Sequence, residues 1–119
     1  MANLKRNIIV LVKEVKEGEV VTETYVTPVF IPLSVVYEAI DLTQEMFKTG
    51  EDATSEKEMI DKLIDFVSNK VYKNQFKKED LINGLHAPEA INVLQEQILF
   101  IAQGRQTEEA KKFLAKKNY

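Results

Sequence analysis

An α+β fold is predicted for this chain by three observations. Two segments rich in β-branched residues stand at the N-terminus on either side of a glycine turn. Strand signals stop after residue 31, and everything downstream reads at helical spacing with start and stop residues in the expected places. A chain of 119 residues with 45% apolar content has material for one small core, so residues 1–119 are expected to form a single domain. The predicted architecture is an N-terminal β-hairpin packed on a small bundle of four to five helices.

Residues 7–15 and 20–27 are the two predicted strands, and Lys16 to Glu19 with Gly18 supplies the turn. In the second strand Val20, Thr22, Thr24 and Val26 alternate with Val21, Glu23, Tyr25 and Thr27. Neither set is purely polar, so the pattern specifies register weakly. Val29, Phe30 and Ile31 lie between Pro28 and Pro32. They form a candidate third short strand at an edge, where a proline's missing donor is tolerated, or an apolar piece packed on the body.

Ser34 is the expected N-cap of a helix running to about Phe47, with Val36, Tyr37, Ile40 and Phe47 on its apolar face and Gly50 beyond its end. Glu38, Asp41 and Glu45 point away. Ser55 followed by Glu58 is a capping box, and the helix it opens is expected to reach Tyr72. Val71 to Ala87 then forms a corner. Asn74 and Gln75 break the helix, Phe76 anchors the connector, and Leu81, Ile82 and Leu85 share one face of a short helix. Gly84 stands beside that face, where a side chain would hinder close packing. Pro88 opens a strongly apolar helix to Gln103, and Gly104 ends it. Thr107 caps a last helix, Glu108 to Lys117, whose acids lie in the first turn and lysines in the last. Its apolar face is thin (Ala110, Phe113, Leu114). Residues 105–119 are therefore expected either to dock on the body or to stay mobile until a partner arrives.

Composition narrows the function classes. The chain has no cysteine, which removes disulfides, thiol nucleophiles and cysteine-ligated metals. His86 is the single histidine, and no nucleophile or orienting group is spaced to work with it. Glycine-rich phosphate cradles and calcium-loop spacings are absent too, so neither catalysis nor a cofactor is expected. The longest apolar runs fall far short of the ~20 residues a membrane span needs. Sixteen basic residues stand against nineteen acidic ones, net −3, which gives no nucleic-acid or membrane signature. Lys73, Lys77 and Lys78 with Tyr72 and Phe76 mix cations with rings, as a single-strand platform does, but Glu79 and Asp80 follow at once. Phe76 is read as a core anchor.

The charge is uneven along the chain. Residues 33–72 hold nine acids (Glu38, Asp41, Glu45, Glu51, Asp52, Glu56, Glu58, Asp61, Asp65) against four lysines, net −5. Residues 105–119 hold five bases (Arg105, Lys111, Lys112, Lys116, Lys117) against two acids, net +3. Solvated helix faces account for this, and head-to-tail self-association of copies is the sharper alternative.

The corner, read as V-Y-x-N-Q-F-x-x-x-D-L-x-x-G-L-x-A, and the Leu-, Ile- and Gln-rich helix after it carry a family resemblance. With the preceding hairpin and proline segment, the pattern over about residues 5–103 resembles the tail assembly chaperones of phages and prophages with long, non-contractile tails in Gram-positive hosts. The resemblance implies a non-catalytic protein of the host cytoplasm, absent from the mature virion. It would bind and solubilise the tape-measure protein and recruit the major tail-tube protein. Relatives are often also made in a longer, frameshifted form, and the short basic C-terminal helix suits the shorter one. The last two helices carry more apolar surface than a small core needs. Phe76, Leu85, Phe100, Phe113 and Leu114 are the expected partner-binding residues, receiving an amphipathic helix. Two other classes stay open: a structural virion component, such as a tail completion or connector protein, and a small regulatory, antitoxin-like binding domain.

Overall fold

The computed structural model describes residues 4–48, 50 and 55–116. Strands β1 (Ile8–Lys16) and β2 (Glu19–Val26) form an antiparallel hairpin. Five helices follow: α1 (Ser34–Met46), α2 (Glu56–Asp65), α3 (Lys78–Gly84), α4 (Ala87–Gln103) and α5 (Glu108–Lys116). The fold class is α+β, as predicted. The expected residues 51–54 of the α1–α2 loop and Lys117 at the end of α5 lie outside the described residues.

The hairpin turns at Glu17 and Gly18, both with positive φ (50° and 82°). That geometry matches the twist of the flanking strands. Ile8 pairs with Val26 and Val12 with Thr22, then a bulge at Lys13 shifts the register so that Glu14 faces Val21. The third strand is not formed: among the described residues the sheet has two strands, and Val29 and Phe30 are exposed coil. Pro28 and Pro32 remove two donors from that segment, so a ladder there would be incomplete.

Ile9 and Leu11 point from β1 into the core, where they meet Leu63, Val67, Val71, Tyr72, Leu81, Leu94 and Ile98. Ser55 and Thr107 cap their helices, Ser55 through the serine arm of the expected box. Ser55 Oγ accepts from the Glu58 N–H at 3.3 Å and Thr107 Oγ1 from the Ala110 N–H at 3.1 Å. Gly104 closes α4 in the left-handed region at φ 70°. Ser34 is not a cap. Leu33 already has helical angles, and the first turn is secured by backbone bonds from Val35 N–H to the Pro32 carbonyl and from Val36 N–H to that of Leu33.

The second long helix departs from the prediction beyond Asp65. Phe66–Val71 winds as a π-helix, and Tyr72 N–H reaches back to the Val67 carbonyl at 3.1 Å. The wider turn keeps Phe66, Val67, Ser68 and Val71 all buried, and such bulges interrupt α-helices without ending them. Lys73 and Asn74 then take positive φ values of 48° and 62°, which stops the helix. The side chain of Phe76 drops into the core at 4% exposure. It sits edge-on to Tyr25 (4.8 Å between centroids) and tilted against Tyr72 (5.3 Å), as aromatic clusters favour. Phe76 is the anchor the sequence suggested.

Candidate partner-binding surface

The structure scatters the five expected partner-binding residues. Phe76 belongs to the main core; Phe100 and Leu114 are each only 7% exposed, outside that core. Leu85 packs on the core's margin, and Phe113 is half-buried on α5. Three of the five, Phe76, Phe100 and Leu114, are therefore buried within the chain itself. Short α5 docks through Ala110 and Leu114, and in a small domain even a thin apolar face is taken up by packing.

Apolar surface is left open elsewhere, on α1. The helix has two apolar faces. Val35, Ala39, Leu42 and Met46 recur at 4-3-4 spacing and face inward; the first two are buried and the others pack on the core. Small Ala39 in the middle of this row suits the close contact of α1 with α4. Leu33, Tyr37, Ile40, Gln44 and Phe47 recur at 4-3-4-3 spacing and are exposed, Tyr37 at 67% and Phe47 at 77%. The face expected to meet the core (Tyr37, Ile40, Phe47) is thus the outward one, while Val36 lies half-buried between the two. The sequence reading named only the outward row; the inward one, with Ala39 at its centre, was not picked out.

The outward stripe continues along the chain into Val29 and Phe30. By helical spacing, Glu38, Asp41 and Glu45 flank it on one side. Glu45 is held by Lys62 at 2.7 Å and Glu38 lies 3.7 Å from Lys70, while Asp41 is exposed. A row of this kind matches one side of a coiled-coil-like seam. Such a stripe with an acidic flank can receive an apolar helix face bordered by cations.

A buried polar cluster, which the sequence reading missed, fixes the hairpin on α4. Gln97, 4% exposed, accepts from the Tyr72 hydroxyl at 2.6 Å and from Asn7 Nδ2 at 3.3 Å, and donates to the Ile8 carbonyl at 2.8 Å. A glutamine in the middle of an apolar helix face was the available signal. Burial holds the Tyr72 phenol well above its ordinary value. His86 is exposed just before α4. Among the described residues, no three His, Asp or Glu side chains gather as a metal site, and no helix is long and apolar enough to cross a membrane.

Comparison with curated proteins and with solved structures finds no match. The model of one family, described as phage tail chaperone protein, matches residues 3–118. The match spans nearly the whole chain, which belongs to the phage tail chaperone protein family.

Proposed function

We propose that this chain acts in the host cytoplasm as a tail assembly chaperone that binds and solubilises the tape-measure protein and recruits the tail-tube protein, without catalysing a reaction. The observation carrying this reading is the outward stripe of α1. Leu33, Tyr37, Ile40 and Phe47 lie at heptad spacing on a helix whose opposite face is already packed. A long amphipathic helix laid along this stripe would bury its apolar row, and Lys or Arg on its flank would meet Asp41 and Glu38. Many copies along one rod would turn weak contacts into firm coating. Leu85 and Phe113 keep surface for the same partner, whereas Phe76, Phe100 and Leu114 support it through packing. Acidic residues on α1 and α2 of one copy and the basic α5 of another would let neighbours attract along the rod, a contact that salt should weaken.

Co-expression with the tape-measure protein from the same source tests the reading. Solubilisation and co-elution of many copies per tape-measure chain supports it. An insoluble tape-measure protein, with this chain in purified particles, would favour a structural virion component.

A further inference from the structure

The outer edge of β1 faces an open trough. Asn7 is tied to Thr27, whose N–H donates to the Asn7 carbonyl at 2.9 Å. Alternation along an antiparallel pair then turns the main-chain groups of Arg6, Ile8, Val10 and Val12 away from β2. Three of these positions are covered. Gln106 Nε2 donates to the Arg6 carbonyl, Gln97 Nε2 donates to that of Ile8, and α3 lies against Val12 at Gly84. Val10 stands between them with its side chain exposed. The same device closes the other edge, where Gln75 Nε2 donates to the Val26 carbonyl at 2.8 Å.

The trough has a volume of about 740 Å³ and is bounded by β1, α4 and the start of α5. Ile8, Val10 and Val12 line it on one side, Val93 and Leu99 on the other. Its charged lining is one-sided. Glu89 and Glu96 lie seven residues apart on α4, Glu108 and Glu109 open α5, and Arg105 is the one arginine or lysine among them. From Ile8 to Val12 the strand runs ~13 Å at the usual rise, room for about five extended residues.

The geometry points to this trough as a docking site for an extended, cationic segment of a partner protein, laid against β1 and bridged to it at Val10. Main-chain groups at Val10 would pair with the segment. Its apolar side chains would lie on Ile8, Val12 and Leu99, and its lysines or arginines would reach the four carboxylates. This site is separate from the stripe on α1 and does not rest on the identity of the partner bound there.

The test uses the full chain and a fluorescein-labelled heptapeptide alternating lysine and valine, followed by anisotropy and by backbone amide spectra. Saturable binding that weakens with salt is expected, with shifts centred on Ile8 to Val12. A copy of the peptide with glutamate for lysine, and one N-methylated on alternate residues, should each bind at least tenfold more weakly. Glu89→Lys combined with Glu96→Lys should cost at least tenfold, as should Val10→Pro, which leaves the bonds to β2 in place. The double substitution touches no core residue, so it decides the matter if Val10→Pro does not fold. No saturation, equal binding of the glutamate peptide, shifts centred on α1, or occupation of the edge by a second copy of this chain would each overturn the proposal.

Discussion

The Tyr72 hydroxyl donates to Gln97 Oε1 across 2.6 Å, between two buried side chains. This bond ties the end of the π-helical turn to the middle of α4. Through the bonds of Gln97 to Ile8 and Asn7, it also ties both to the base of the hairpin. Tyr72→Phe removes the donor but leaves Gln97 with Asn7 as a partner. It is expected to destabilise the fold by about 1 kcal/mol, read from urea unfolding. Gln97→Leu strands Asn7 Nδ2 and the Ile8 carbonyl as well, and is expected to cost about 2–3 kcal/mol.

The same tyrosine sets an alkaline limit. Its phenol is held above its usual value because burial penalises the charged form. Above the ordinary tyrosine pKa of about 10, the unfolded chain loses a proton that the folded chain keeps, so stability falls as pH rises. Below that pH the contribution is complete and flat. Urea midpoints measured across this range should decline in the natural protein and decline less in Tyr72→Phe. Equal slopes would show that Tyr72 is not the group responsible.

Gly84 allows α3 to lie on the hairpin. A Cβ there would stand 3.1 Å from the Val12 carbonyl oxygen and 3.2 Å from Leu11 Cβ. Leu11 is fully buried, and β1 is held by β2 on one edge and by Gln97 on the other. Gly84→Ala is therefore expected to destabilise by about 1–3 kcal/mol despite its gain in helix propensity. Unchanged thermal unfolding would mean that the hairpin shifts freely.

Lys73 takes φ 48° without being glycine, and its side chain is exposed. The left-handed conformation costs a β-carbon-bearing residue about 1 kcal/mol. Lys73→Gly relieves this at some cost in chain entropy and is expected to be neutral or to stabilise by up to ~1 kcal/mol. Destabilisation beyond that would assign Lys73 a packing role.

Surface and core substitutions should separate cleanly. Tyr37→Glu with Phe47→Glu changes exposed positions and is expected to leave the unfolding midpoint almost unmoved while abolishing co-elution of the tape-measure protein. Phe100→Asp or Leu114→Asp places a carboxylate at a buried site and is expected to cost at least ~3 kcal/mol, lost as folded yield. Retained co-elution by the α1 double variant would move the docking surface elsewhere.

Much of this fold is local chemistry and was legible in the chain. Ser55 and Thr107 cap helices because a side-chain oxygen lies within reach of an N–H three residues on. Gly18 and Gly104 mark a turn and a stop because they take positive φ readily. Phe76 announced itself as a lone apolar residue in a polar connector, and the motif around it carried the family. Tertiary packing decided the rest. Helix α1 offers two apolar rows of similar strength, and only contact with α4 selected Val35 and Ala39 for burial and left Tyr37 and Phe47 outside. The π-helical turn after Asp65 arises from burying four residues of six at once, a demand no periodicity states. Phe100 and Leu114 were read as partner-binding because the last two helices carry more apolar surface than a small core needs, yet both are buried within the chain. The sequence alone determined which residues were apolar and where local signals start or stop a helix, as at Ser55, Gly104 and Thr107. Which apolar face is spent on the core depends on neighbours distant in the chain, and only the tertiary structure contains them.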